Sequence, residues 1–276
     1  MSIDFLTTVR SLFNNEENDF DVVVSNSSVA FKLHWFLLTL NSDFFSAINR
    51  TECQENSKGE VIVKLDWLND SSFESVLRVL YGFPLEIDGQ TNFLLYWRAA
   101  DFFGINILKS QLEDHLRNRL TTVPNMSFLT TILETADQMG IYSVFSLIPK
   151  CIPPNATSSS LAQLAPIRVS AASLSVLATT SVERKDLYHW IISSLIDSVK
   201  VTQDQDERND FMKILEGIPE LEEAFKECVP ESISELENLI TIENTKLTQM
   251  FLKAYKHHAL NRKTYNRAIS KPRKLI

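Results

Sequence analysis

An α+β domain followed by an all-helical region is what this 276-residue sequence predicts. Two observations carry that reading. Between Asp21 and Phe45 the apolar residues pass from strand alternation to helix spacing, and beyond residue 120 only helix spacing recurs.

Taken in order, residues 2 to 15 form an amphipathic helix with Phe5, Leu6, Val9, Leu12 and Phe13 along one stripe. Val22, Val23 and Val24 make a short β-branched strand after Asp21. Asn26-Ser27-Ser28 supplies turn chemistry, and Val29-Ala30-Phe31-Lys32-Leu33 returns as the second strand of a hairpin. After His34 the spacing becomes helical, with Trp35 and Leu38, then Phe36 and Leu40. Asn41 or Ser42 caps a further helix that carries Phe44, Phe45 and Ile48. Val61 to Leu65 reads as a third strand, Phe73 to Tyr81 as a helix and Leu85-Glu86-Ile87 as a short edge strand. Asn92 to Phe103 and Ile105 to Leu120 complete the domain as two helices.

Composition bounds the function. With 44% hydrophobic residues the chain has material for a substantial core. Its apolar runs fall short of the roughly 20 residues that a membrane helix needs, and MSIDFLTTVR lacks the basic-then-apolar order of a signal peptide. A cytoplasmic or nuclear location is therefore expected. Cys53, Cys151 and Cys228 are isolated and without metal-ligand spacing, as ordinary thiols of a reducing compartment would be. No glycine pattern forms a phosphate cradle, no serine stands in a nucleophile elbow, and carboxylate groups such as Asp204, Asp206 and Glu207 suit helix caps and faces. An interaction protein with no cofactor is expected, not an enzyme.

Charge is segregated. Of 27 basic residues, nine lie in 246–276, a stretch with no acidic residue; the first 245 residues hold the other 18 against all 35 acidic ones, a balance of −17. The basic stretch suits either contact with the acidic body of the chain or a weak nucleic-acid or nuclear-import patch.

The pattern Asp-Val-x-Val, turn, x-Phe-x-x-His, apolar helix, Ser-x-x-Phe resembles the BTB/POZ domain. Asp21, Val22, Val24, Phe31, His34, Leu37, Leu38, Ser42 and Phe45 carry it here. The third strand, the helix ending in Tyr81-Gly82 and the Ala99-Ala100-Asp101-Phe102 helix follow in the family's order, so that the resemblance spans residues 2–120. It implies a small sheet with a cluster of helices and a homodimer through the stripe of Phe5, Leu6, Val9, Leu12 and Phe13. The same resemblance makes His34 a structural histidine at the strand-to-helix corner. Trp35 stands where many dimeric members carry a cation, so Asp21 lacks that charge partner and is expected to cap the strand start or to face solvent.

Downstream, residues 125–152 read as a helix pair similar to the segment called the 3-box, 153–160 as a linker, and 161–260 as a helical region whose first part resembles the BACK region. Residues 261–276 make a basic tail. The stripes Phe211, Ile214, Leu215, Ile218 and Leu236, Leu239, Ile240, Leu247, Phe251 are expected to be core. The resemblance implies an adaptor that bridges cullin-3 to an unidentified protein substrate. The cullin-contact positions map to Phe73, Ser75 and Tyr81, with Ser75 where the family motif has Glu and Phe73 expected at the surface. A scaffold that oligomerises through the same domain is the alternative.

Overall fold

The structure, a computed structural model, describes residues 5–15, 17, 19–26, 28–51, 59–122, 126–153, 166–202, 204–221 and 224. Nearly all of the expected linker, the Leu236 to Phe251 stripe and the basic tail lie outside these residues, as do Cys53, Cys228, His257 and His258. The chain divides into two compact units, residues 1–123 and 124–276.

The first unit is built on a three-stranded sheet of order β2-β1-β3, made of β1 (Val22–Asn26), β2 (Val29–Leu33) and β3 (Glu60–Val63). β1 and β2 form the antiparallel hairpin, with Val24 opposite Phe31 and Asn26 opposite Val29 across a two-residue connection. β3 pairs in parallel with the other side of β1, Val24 beside Val61. A parallel neighbour requires a crossover, and the intervening chain supplies it with helices α2 (Trp35–Asn41) and α3 (Asp43–Arg50). One face of the sheet is buried through Val22, Val24, Phe31, Leu33, Val61 and Val63.

α4 (Asp70–Leu80) meets that face through Phe73 on Phe31, and α5 (Gln90–Phe103) and α6 (Asn106–Thr122) pack on α4 and on each other. The centre is aromatic. Phe45 of α3 stacks on Phe103 of α5 with ring centroids 5.8 Å apart, Phe103 meets Phe73 of α4 at 5.9 Å, and Phe73 meets Phe31 of β2 at 6.0 Å. Such pairs add directional attraction to the area that they bury. The turn from α5 to α6 depends on Gly104, at φ 62°, where a Cβ would come within 2.7 Å of the Asp43 side chain. Beside it the Ser42 hydroxyl donates to the Phe103 carbonyl at 2.6 Å and fixes the start of α3 to the end of α5.

Three local readings change. Asn26, expected in the turn, ends β1 fully buried; its side chain donates to the Leu68 carbonyl at 2.9 Å and accepts from the Leu65 N–H at 3.2 Å. It holds the chain after β3 as a satisfied buried amide. Residues 85–87 form no strand: the Leu85 N–H goes to the Gln111 side chain instead of a ladder partner. The first helix is shorter than the stripe, with α1 spanning Phe5–Ser11 and a turn through Leu12 to Asn14.

The second unit is helical over its described residues. α7 (Met126–Gln138) buries Phe128, Leu129, Ile132, Leu133 and Ala136. The expected second helix of this pair is instead a 3₁₀ segment, Tyr142–Leu147, running into one turn at Ile148–Cys151. Pro149 at that turn's start suits its fixed φ and needs no donor there. α8 (Ala171–Thr180), α9 (Tyr188–Val201) and α10 (Gln205–Gly217) follow, with Trp190, Ile191, Leu195, Phe211, Ile214 and Ile218 buried. An extended segment before α8 is pinned from both sides. The Ser194 and Ser198 hydroxyls of α9 accept the Ile167 and Val169 N–H groups, while Asp137 of α7 accepts from Ser170 and from the Ser173 hydroxyl at 2.6 Å. Arg184 closes the Ile148–Cys151 turn by donating to the Pro149 and Ile152 carbonyls at 2.6 and 2.7 Å.

Candidate interaction surface

The most unusual feature of the first unit is apolar surface on two short helices. No residue of α1 is buried. Phe5 is 76% exposed and Leu6 47%; on α2, Phe36 is 71% and Leu40 66% exposed, while Leu37 and Leu38 of the same helix face the core. Both helices border the end of α4. Leu6 lies where a Cβ on Gly82 would come within 3.3 Å of its methyl, and the Asn41 side chain of α2 donates to the Leu80 carbonyl at 3.2 Å. Four large apolar side chains are thus exposed on two helices that each touch the end of α4, more than an isolated surface leucine would explain.

Arg10 and the residues just past α1 tie it to the end of α4 and to β2. The Arg10 guanidinium donates from Nε and Nη2 to the Gly82 carbonyl at 3.0 and 2.6 Å. Phe13, just past the helix, packs on Tyr81 with centroids 5.2 Å apart and on Phe31 and Phe83 at 6.1 and 6.0 Å. Asn14, at φ 48°, a conformation that Asn tolerates, accepts the Lys32 N–H at 3.0 Å and so covers part of the outer edge of β2. Of the expected stripe, then, Phe5 and Leu6 face outward, Val9, Leu12 and Phe13 are half-buried, and Phe13 is committed to its own domain.

The strand-to-helix corner is polar and fully connected. Asp21, exposed at the start of β1, accepts the Trp35 N–H at 2.6 Å and caps α2, whose N-cap His34 makes no side-chain cap of its own. The Tyr81 hydroxyl accepts the His34 N–H at 2.8 Å and lies 3.1 Å from its Nδ1. Burial holds the Tyr81 phenol well above the ordinary tyrosine range; the His34 N–H opposes this and the Asp21 carboxylate adds to it. The phenol therefore keeps its proton, and a neutral hydroxyl can pair with Nδ1 as donor or as acceptor. His34 is half-buried, and its contacts are those of a corner brace.

The cullin-contact positions do not sit as expected. Phe73 and Tyr81 are both fully buried, Phe73 between Phe31 and Phe103 and Tyr81 beneath Phe13. The apolar spacing of α4 that marked Phe73 as an anchor also serves the core, and the core has taken it. Ser75 alone of the three reaches the surface, half-buried, with its hydroxyl donating to the Ser71 carbonyl at 3.0 Å. It lines a groove of about 350 Å³ between α4 and residues 83–86, together with Glu74, Arg78, Phe83, Pro84 and Glu86. Arg78 closes the inner end, its guanidinium 4.3 Å above the Phe83 ring and 3.5 Å from the Glu74 carboxylate.

Sequence reasoning missed Phe36 and Leu40 as surface residues and Arg10 and Gly82 as the anchor of α1. A signal for the first pair was present: Trp35-Phe36-Leu37-Leu38-Thr39-Leu40 is apolar nearly all round, and such a helix needs cover on more than one side. Among the described residues there is no group of His, Cys, Asp and Glu able to hold a metal ion, and no helix long and apolar enough to cross a membrane.

A search of curated proteins finds no match to the chain. The family model of the BTB/POZ domain matches residues 10–120, a span that takes in the hairpin, the crossover to β3 and helices α2 to α5 with most of α6. With that match on this fold, the N-terminal unit of the chain is a BTB/POZ domain, a protein–protein interaction module.

Proposed function

We propose that the chain is a homodimeric adaptor or scaffold that pairs two copies through the apolar face of α1 and α2 and so presents two copies of its helical second unit to partners. The observation that carries this is the exposure of Phe5, Leu6, Phe36 and Leu40 on two helices that each touch the end of α4. A second copy brought face to face would cover the same four residues on both molecules, as an isologous interface does. Desolvating four large apolar side chains per subunit supplies the kind of core on which stable interfaces rest. Light scattering on the full chain should give twice the monomer mass, and Phe36→Asp with Leu40→Asp should give a folded monomer, because the new carboxylates would be desolvated without partners. A monomer for the unaltered chain would sink the reading.

Cullin-3 bridging is the second reading, and it is favoured by the groove beside Ser75. With Phe73 and Tyr81 in the core, the contact would fall to the rim residues Glu74, Ser75, Phe83 and Glu86. Ser75→Glu, which adds the family's carboxylate at an accessible position, should then strengthen cullin-3 binding by roughly tenfold, the effect of one charge-assisted hydrogen bond of about 1.4 kcal/mol. Failure of both the unaltered chain and Ser75→Glu to bind purified cullin-3 would leave the scaffold role.

A further inference from the structure

The outer edge of the sheet, at β3, is a surface that the proposed dimer does not use. In a parallel ladder alternate residues turn their N–H and C=O groups toward the neighbouring strand. The Val23 N–H donates to the Gly59 carbonyl at 2.8 Å, and Val24 lies beside Val61. That phase turns the backbone groups of Val61 and Val63 toward β1 and those of Glu60 and Ile62 away from it. The Leu65 N–H reaches the Asn26 side chain of β1 at 3.2 Å and so continues the phase past the end of the strand. Side chains alternate as strictly. Val61, Val63 and Leu65 are buried, whereas Glu60, Ile62 and Lys64 are exposed, Ile62 at 56%. The opposite edge of the sheet is partly covered, since Asn14 accepts the Lys32 N–H of β2 at 3.0 Å. β3 is the last strand on its own side, and no described residue pairs with its outer edge. A regular edge strand without proline or bulge is a template for another strand.

We propose that β3 pairs edge to edge with β3 of a second copy of the chain, which continues each three-stranded sheet into the other. The segment is self-complementary. In Glu60-Val61-Ile62-Val63-Lys64 the two charges stand at equal distances on either side of Ile62. An antiparallel pair about a two-fold axis at Ile62 sets Ile62 opposite itself, valine opposite valine, and each Glu60 opposite Lys64 of the other copy. The same register brings the outward N–H and C=O groups of Glu60 and Ile62 onto their counterparts. A slip of two residues loses both charge pairs, and a slip of one sets buried valines against exposed positions. A parallel pair would place like charges side by side. The charge pattern therefore selects a second copy over an extended segment of a different protein. With one short strand from each copy, the contact falls well under the ~1,000 Å² of a stable interface, so it forms in concentrated protein and opens on dilution. It uses no residue of α1 or α2, and it would link dimers of the kind proposed above into longer assemblies.

The test is sedimentation velocity of the full chain at about 5 µM and about 500 µM, a span suited to a weak contact. The dilute mass reports the pair at α1 and α2, and the rise with concentration reports β3, so the two proposals fail separately. The mass should at least double between the two concentrations. Glu60→Lys and Lys64→Glu, each alone, set like charges across the pair and should hold the dilute mass at both concentrations. Both positions are exposed, so each variant should keep the circular dichroism of the parent. An equimolar mixture of the two variants restores opposite charges at every pair and should regain the rise. A parent mass that does not change with concentration overturns the proposal and leaves the edge to a strand of a different protein. So does a rise in Glu60→Lys equal to that of the parent, and so does a mixture that stays at the dilute mass.

Discussion

Helices α1 and α4 meet at Tyr81 and Gly82, and both carry an apolar stripe in the sequence, yet they relate to the core in opposite ways. α4 buries Phe73, Val76, Leu77, Val79 and Leu80, whereas no residue of α1 is fully buried and Arg10, with Phe13 beyond its end, ties it on. A stripe says that cover is needed, not which molecule provides it. For α4 the cover includes Phe31 of the sheet and Phe103 of α5, whereas Phe5 and Leu6 of α1 and Phe36 and Leu40 of α2 stay exposed. The same contrast separates a buried helix from one whose large apolar side chains stand in solvent.

That division can be broken most forcefully at the core. Phe45→Ala should destabilise the first unit by about 3–5 kcal/mol, through lost transfer energy and the cavity left between Phe44 and Phe103. Denaturant titration followed by tryptophan fluorescence would measure it, and a small change would show that the aromatic centre is not where stability resides.

Next in size is the brace at the corner. Tyr81→Phe leaves the buried-side His34 N–H without its acceptor and should cost about 1–3 kcal/mol. It also tests the titration. Because the folded phenol ionises above the unfolded one, its contribution is complete below about pH 10, the ordinary tyrosine value, and declines as pH rises beyond that. Melting temperatures of the parent should therefore drop more steeply than those of Tyr81→Phe in that alkaline range.

Arg10→Ala sharpens the comparison from the side of α1. Removing the guanidinium bonds to the Gly82 carbonyl should release the helix locally at about 1 kcal/mol or slightly more, with faster hydrogen exchange over residues 5–13 and little change at α4. The smallest stability effect belongs to the exposed face. Phe36→Asp with Leu40→Asp should leave the monomer's stability within about 0.5 kcal/mol, since both side chains are already in water, while abolishing self-association. A large loss of monomer stability would place these residues in the core after all.

Legibility from sequence followed the range of the interactions. The hairpin and the helix that Ser42 caps are legible in the sequence because their determinants lie within a few residues: β-branched alternation and a hydroxyl accepting the Phe45 N–H. The strand expected at 85–87 was not formed because its ladder partner is a property of the assembled sheet, and here Gln111 takes the donor. The burial of Phe73 was misread for a related reason. Its spacing is right for either a surface anchor or a core residue, and only the arrival of Phe31 from β2 and Phe103 from α5 decides between them.

By itself the sequence determined the order of elements in the first unit apart from the strand expected at 85–87, the helical character of the second over its described residues, the BTB/POZ pattern and the separation of a basic stretch from an acidic body. Those features rest on local periodicity, on capping and on charge composition, all of which are properties of neighbouring residues. The tertiary structure alone decided that Asn26 is a buried tie and not a turn residue, that Asp21 caps α2 from fourteen residues away, that Tyr81 braces His34, and that Phe36 and Leu40 face outward. Each of these depends on which distant segment arrives beside the residue, and apolar or polar character in sequence does not encode the identity of that neighbour.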